Sequence, residues 1–189
     1  MTDMSRLRPR LVLLDRDGVL NRNLDNGVLQ VADWEWLPGA VDAVRRMAGQ
    51  GVRIAIVTNQ ASIGRGRLTT DALDEIHIHM LEGLRLPGLG LTDVLYCPHL
   101  PEAGCACRKP QPGMLVHAFA RAHVSPQEAL LVGDHVSDLE AAGRVGCPSV
   151  HVQSGRGAAP VGPLPHYLGS VPDLTAVCAA VWPHAAGAE

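Results

Sequence analysis

Leu11-Val12-Leu13-Leu14-Asp15-Arg16-Asp17-Gly18-Val19-Leu20-Asn21 is the stretch on which the fold of this chain turns. Four consecutive apolar residues, bounded by charge and then by Gly18, predict a strand running into a tight turn. A strand with no polar alternation is buried on both faces, which places it in a parallel sheet covered by helices. Asp15 and Asp17 then fall at its carboxyl end, the edge on which open α/β sheets place ligands. Two carboxylates at a buried edge repel each other and resist desolvation, so a bound cation is the expected reason for them. A solvated turn in which either acid caps a backbone group is the alternative that this stretch leaves open.

Outward from it, apolar runs alternate with helical periodicity, the pattern of βαβ units. Residues 21–37 are polar, with Trp34 and Trp36 expected to cover a core edge. Pro38-Gly39 opens a helix over about 40–49, stopped by Gly51. Val52–Val57 predicts a second strand ending in Thr58-Asn59-Gln60. A polar cluster from Ser62 to Arg67 leads to Thr70, read as the cap of a helix carrying Leu73, Ile76, Met80 and Leu84. Thr92–Tyr96 is a third strand, and a helix runs from Pro112-Gly113 to about His123. Ser125-Pro126 is an N-cap followed by proline at the first helical position. Ala129–Val132 is a fourth strand ending in Gly133-Asp134. Ser137–Val145 is a helix, Ser149–Val152 a fifth strand, 153–165 a Gly- and Pro-rich loop and Pro172–Val181 a last helix. With no repeats and no long linker, residues 1–189 are expected to form one domain, capless because no insertion offers room for a large cap.

The bulk numbers agree. The chain has 189 residues, 47% hydrophobic and 19% charged, an ordinary globular balance with enough length for a full core. Aromatics are only 3%, so aliphatic side chains must fill that core. A net charge of -3 argues against non-specific nucleic-acid binding. No apolar run approaches the ~20 residues of a membrane span and no signal peptide is read, so a cytoplasmic protein is expected. Arg6, Arg8 and Arg10 read as a solvated tail. Cys147 and Cys178 stand alone in apolar surroundings and are expected to be buried thiols.

Three strand ends carry Asp15, Thr58 and Asp134, and Lys109 precedes the helix at 112. In a parallel sheet these ends share one edge, so the groups can converge. Carboxylates on separate strands suit Mg²⁺, and a hydroxyl with an ammonium suits a phosphoryl group. A carboxylate can also attack phosphorus to give an aspartyl-phosphate, with a second acid serving the leaving oxygen. Asp15-Arg16-Asp17-Gly18, Thr58-Asn59-Gln60, Arg108-Lys109-Pro110 and Gly133-Asp134 with Asp138 resemble, in order, the four motifs of the haloacid dehalogenase-like phosphatases. The resemblance spans about 11–157 and implies a Rossmann-like three-layer α/β/α fold with a central, mainly parallel sheet. It implies Asp15 as nucleophile and Asp17 as general acid/base, with Thr58 and Lys109 stabilising the phosphoryl group. Mg²⁺ would sit on Asp15, the Asp17 backbone carbonyl and Asp134, while Asp138 orients Lys109 or the metal shell.

Cys97-Pro98-His99 and Cys105-Ala106-Cys107 offer four ligands within eleven residues, a Cys₃His set suited to a closed, structural Zn²⁺ site. Buried or disulfide-paired cysteines are the alternative. With this loop the chain resembles the family of heptose 1,7-bisphosphate and histidinol-phosphate phosphatases. The likeness implies a sugar bisphosphate substrate contacted by Asp15, Arg16, Asp17, Asn23, Asn26, Thr58, Asn59, Gln60, Arg65, Arg108, Lys109 and His135. Two positions depart from the heptose enzymes: His135 where many have lysine, and Ala61 where a small hydroxyl residue is common. Histidinol phosphate is the alternative substrate, and a phospho-aspartate receiver or a non-catalytic zinc-stabilised binding module the alternatives from other classes. A monomer is expected. His77 and His79 face different ways on their helix and are not read as ligands, His151 is assigned no role, and the Ser154-Gly155-Arg156 loop could touch substrate phosphate although the family's contacts lie elsewhere.

Overall fold

A computed structural model describes residues 3–85, 91–156 and 164–183, with the backbone alone at 91–92. Six strands, β1 (Leu11–Leu14), β2 (Arg53–Asn59), β3 (Leu91–Cys97), β4 (Ala129–Gly133), β5 (Ser149–Val152) and β6 (Tyr167–Val171), form one sheet in the order β3-β2-β1-β4-β5-β6. Every pairing is parallel, so the expected mainly parallel sheet is wholly so. This is the doubly wound order, whose direction of winding reverses at β1 and β4. Leu14 pairs with Ile56 on one side and Val132 on the other. Asp15, Thr58 and Asp134 therefore emerge on one edge from three adjacent strands.

All four β1 residues are buried, and they feed two cores in alternation. Val12 and Leu14 join Ile54, Ile56, Leu130 and Val132 beneath the helices α1 (Ala40–Gly49), α3 (Thr70–Leu84) and α6 (Leu174–Val181). Leu11 and Leu13 join Ala55, Val57 and Leu131 beneath α4 (Gly113–Ala122) and α5 (Val136–Val145). Period-2 alternation with apolar residues on both sides is what makes the strand a continuous apolar run. The result is three layers. A smaller cluster of Val28, Leu68, Leu73 and Ile76 seats the 21–37 segment against α3. Trp34 and Trp36 pack edge-to-face at 4.9 Å on the rim of the first core, the covering role expected of them. Among the described residues, no separate cap layer is inserted.

Several boundaries differ from expectation for local reasons. Thr69, not Thr70, caps α3, because its hydroxyl accepts the Ala72 N–H at 3.1 Å. The polar cluster after β2 holds a helical turn, α2 (Ala61–Gly64). Strand β2 continues through Thr58 and Asn59. Helix α5 starts at Val136 with His135 as its cap, whose ring accepts from Ser137 N, and α6 starts at Leu174 with Asp173 as its cap. Strand β6 was not expected at all: it is a half-buried edge strand with an irregular register and Gly169 in its middle, which erases the apolar run. It fills the stretch between the expected loop at 153–165, of which 157–163 lie outside the described residues, and the expected last helix. The arginine run is not a free tail either, since Arg10 binds Glu128 at 2.8 Å and its backbone N–H donates to Glu128 O.

Candidate active site

The turn after β1 is built by its backbone. Asp15 N–H donates to Val132 O at 3.0 Å, extending the sheet by one residue. The chain then folds back so that Arg16 O accepts from Leu20 N at 2.8 Å and Asn21 O accepts from Gly18 N at 2.7 Å. Gly18 takes φ +86°, a conformation costly to residues with a side chain, and an added methyl there would overlap the Asp134 carboxylate. The motif glycine thus serves both the turn and the close approach of β4.

Lys109 is the centre of the site. Its buried ammonium donates to Val57 O at 2.7 Å and ion-pairs with Asp15 Oδ1 at 3.0 Å and Asp138 Oδ1 at 2.6 Å. Burial alone would lower its pKa, but Asp138 and Asp15 outweigh that and raise it, so the ammonium stays charged. Asn59 fixes the lysine backbone from both sides: its Nδ2 donates to Lys109 O at 3.0 Å and its Oδ1 accepts from Lys109 N at 3.1 Å. Asp15, Asp134 and Asp138 can each bring one carboxylate oxygen within 4.8 Å of the others. Burial pushes Asp15 up to about 8, with Asp138, Asp134 and Asp17 adding to it against the pull of Lys109. Burial and Asp138 push Asp134 up to about 6. Three crowded carboxylates with all-oxygen donors fit a hard divalent cation such as Mg²⁺. Asp138, read from sequence only as a support, stands inside this group, whereas the Asp17 side chain does not.

Asp17 instead accepts on both oxygens. Arg16 Nη2 donates at 3.1 and 3.0 Å, Asn21 Nδ2 to Oδ1 at 2.9 Å and Gln60 Nε2 to Oδ2 at 2.9 Å. Burial would raise Asp17, but the Arg16 charge and these hydrogen bonds prevail and hold it below the ordinary carboxylate value. Gln60 also donates to Thr58 Oγ1 at 2.9 Å, which leaves the Thr58 hydroxyl proton free.

Over these groups opens a cavity of about 580 Å³, walled by Asn23, Asn26, Arg65, Arg108 and His135, all read from sequence as substrate contacts, and also by Arg67 and Arg156. Arg16 is the exception. It was expected at the substrate, yet it is wholly buried beneath the turn and away from the cavity wall, drawn there by Asp17. His135 Nδ1 accepts from Ser137 N at 3.2 Å, and burial lowers its pKa, so the neutral ring carries its proton on Nε2. The loop after β5, read from sequence only as a secondary candidate for substrate phosphate, closes on Asp134: Arg156 N donates to Asp134 Oδ2 at 3.0 Å, and Ser154 Oγ donates to Gly18 O at 2.8 Å. His151, buried in β5, donates from Nε2 to Asp134 O at 3.1 Å. Its sequence signal was a polar residue in a buried strand. His77, buried on the apolar face of α3, lies 3.3 Å from Arg16 Nη1. Its signal was likewise a polar residue in an apolar stripe.

Beyond β3, Cys97, His99, Cys105 and Cys107 close a second group. Their sulfurs lie 3.3–3.6 Å apart, and His99 Nδ1 is 3.5 Å from Cys97 Sγ and 3.3 Å from Cys107 Sγ. A tetrahedral ion with Zn–S of about 2.3 Å and Zn–N of about 2.05 Å has ligand–ligand edges of roughly 3.5–3.8 Å. The loop therefore fits zinc, and the thiols are free rather than disulfide-paired. It is tied to the site by Gln60 N to Cys97 O at 2.8 Å, and it runs directly into Arg108 and Lys109.

Comparison with known proteins places this geometry. A HAD-hydrolase-like family model matches residues 106–174. The D-glycero-beta-D-manno-heptose-1,7-bisphosphate 7-phosphatase of Pseudomonas aeruginosa is 37% identical over 90% of this chain and 97% of its own length. The crystal structure of D,D-heptose 1,7-bisphosphate phosphatase from B. bronchiseptica, complexed with magnesium and phosphate, superimposes with a TM-score of 0.83 at 37% identity, covering 89% of this chain and 96% of that one. A putative HAD-like phosphatase from Mesorhizobium loti follows with a TM-score of 0.75 at 30% identity, covering 92% and 87%. The fold, the four motif ends converging on one sheet edge and these relatives together establish that the chain belongs to the heptose 1,7-bisphosphate phosphatase family of haloacid dehalogenase-like hydrolases.

Proposed function

We propose that this protein is a Mg²⁺-dependent phosphomonoesterase that removes the C7 phosphate of D-glycero-β-D-manno-heptose 1,7-bisphosphate, leaving the heptose 1-phosphate. The observation that carries it is the meeting of Asp15, Lys109, Asp138 and Asp134 at the floor of a cavity rimmed by arginines. The relatives named above supply the substrate. Four arginines (Arg65, Arg67, Arg108 and Arg156) on the wall suit a ligand with two phosphates, one at the floor and one at the rim. No second reading is favoured by an observation of comparable weight.

In this reading Asp15 Oδ1 is held by Arg16 N–H at 2.8 Å and by Lys109, which leaves Oδ2 to attack phosphorus. The P–O bond to the sugar breaks as the Asp15–phosphorus bond forms, and Asp17, which takes up a proton as the anionic substrate binds, delivers that proton to the departing oxygen. Water then attacks the aspartyl-phosphate, Asp17 takes its proton, and inorganic phosphate leaves with Asp15 restored. Thr58 and Lys109 balance charge on the phosphoryl oxygens. Mg²⁺ held by Asp15, the Asp17 carbonyl and Asp134, with Asp138 beside them, would supply further positive charge there. Zn²⁺ on the Cys₃His loop would be structural, since four protein ligands leave no open position. Residues 1–189 would act as one domain and as a monomer.

The test is phosphate release with Mg²⁺ from both anomers of heptose 1,7-bisphosphate, histidinol phosphate and fructose 1,6-bisphosphate. The β-heptose substrate is expected to lead in kcat/KM, and Asp15→Asn protein to lose activity by roughly 10³-fold or more. A lead for histidinol phosphate would overturn the substrate assignment. Activity retained by Asp15→Asn would overturn the nucleophile.

A further inference from the structure

Among the described residues Arg16 is the largest wholly buried side chain, and arginines are almost never fully buried unless they are paired. Its Nη2 forks onto both oxygens of Asp17. Its Nη1 lies 3.3 Å from Nε2 of His77, which reaches it from the middle of α3, and its guanidinium carbon lies 5.9 Å from the centre of the Trp34 ring. A guanidinium carries donors only and does not lose its proton. His77 Nε2 must therefore accept, which makes the ring neutral with its proton on Nδ1. Burial, and next the Arg16 charge, keep it so by pushing its pKa down to about 4. Arg16 Nε has no partner among the described residues. The plane of the guanidinium is thus set by the Asp17 fork, the Trp34 face and the single acceptor on His77.

Asn21 and Gln60 each hold one oxygen of Asp17, whereas the charged Nη2 of Arg16 meets both. We propose that Arg16 and His77 are positioning residues for Asp17: the α3 histidine locks the guanidinium, and the guanidinium aims the carboxylate at the leaving oxygen. This rests on Asp17 acting as the acid of the reaction proposed above. Truncating His77 leaves a second buried donor unmet and frees the fork to pivot, so the cost falls on leaving-group protonation rather than on attack at phosphorus.

The experiment compares kcat/KM for heptose 1,7-bisphosphate, whose alkoxide leaves only with a proton, and for p-nitrophenyl phosphate, whose phenolate leaves without one. Both are measured on one preparation with Mg²⁺, so a fraction of unfolded protein cancels in the ratio. His77→Leu is expected to shift the ratio in favour of p-nitrophenyl phosphate by about tenfold. His77→Gln, whose amide oxygen keeps an acceptor, should stay nearer the unaltered enzyme. Arg16→Lys, which keeps the charge but loses the second nitrogen that reaches His77, should shift as His77→Leu does and serves if that variant does not fold. A shift below about threefold in both His77→Leu and Arg16→Lys overturns the proposal, as does a His77→Gln shift equal to that of His77→Leu. Asp17→Asn separates the two levels. If its ratio shifts while those of His77→Leu and Arg16→Lys do not, only the positioning role fails, whereas no shift in Asp17→Asn removes the acid role beneath it.

Discussion

Asp134 is held by small residues rather than large ones. Gly18 and Gly155 approach its carboxylate so closely that a methyl group on either would overlap it, and Arg156 N–H donates to the same oxygen. Gly155→Ala should therefore displace Asp134 and raise the Mg²⁺ concentration at half-maximal activity by about tenfold, the scale of a lost supporting contact at a metal site. An unchanged Mg²⁺ titration would count against this packing as a determinant of metal affinity. His77 yields a pH prediction of defined sign. Its pKa falls from 6.5 to about 4 on folding, so between these values the unfolded chain binds more protons than the folded one. Stability from the neutral ring is complete above about pH 6.5 and is lost as pH falls toward 4, a change of at most roughly 3 kcal/mol. The Tm deficit of His77→Gln relative to the unaltered protein should accordingly shrink between pH 7 and pH 4.5. A constant deficit would mean that the ring is not held neutral.

At the scale of elements, the segment from β3 to α4 has to carry Lys109 into a buried site without a regular element of any length to support it. Two devices do so: the Asn59 amide pairing with the Lys109 backbone, and the Cys₃His cluster two residues upstream. Purified protein is expected to contain one zinc per chain by elemental analysis. Cys107→Ser should lose that metal, lower the Tm and reduce kcat by about tenfold or more, because the charged group at the floor is no longer held in place. A zinc-free Cys107→Ser protein with full activity would show that Asn59 and packing suffice. The helices contribute differently. Helix α3 presents Leu73, His77, Met80 and Leu84 on one buried stripe, so the same face that seals the core also delivers the partner of Arg16.

On the scale of the whole molecule, the doubly wound order puts β1 beside both β2 and β4, and the chemistry follows from that adjacency. The arrangement gathers Asp15, Asp134 and Asp138 in a buried place where Lys109, and Arg156 at Asp134, offset them only in part, and Asp15 and Asp134 are raised as a result. A cation there relieves the repulsion in the folded state only. Mg²⁺ at about 100 times its Kd should thus raise the Tm by roughly 5–10 °C, and Asp134→Asn should abolish most of that gain. A Tm indifferent to Mg²⁺ would place the ion elsewhere. Light scattering is expected to return the mass of one chain. Among the described residues no helix is long and apolar enough to cross a membrane.

Contiguous pattern was enough for much of this. The apolar runs at β1, β2 and β4 could only be doubly buried strands, and an acid or hydroxyl ending each run put Asp15, Thr58 and Asp134 on one edge. The Cys97–Cys107 spacing could be read as a ligand set because all four donors lie in one short loop. Strand β6 escaped because a half-buried edge strand broken by Gly169 carries no apolar run. What the chain order could not convey were pairings across long separations. His77 stands 61 residues from Arg16, Arg156 22 from Asp134, and His151 17 from the same residue. Such partners are chosen by strand order and by the rotation of a helix on the sheet, both of which exist only once the core has packed. For the same reason Arg16, which read as a substrate contact in the motif, turned inward: beyond Asp17 beside it, the packed α3 supplies a second acceptor for the buried guanidinium.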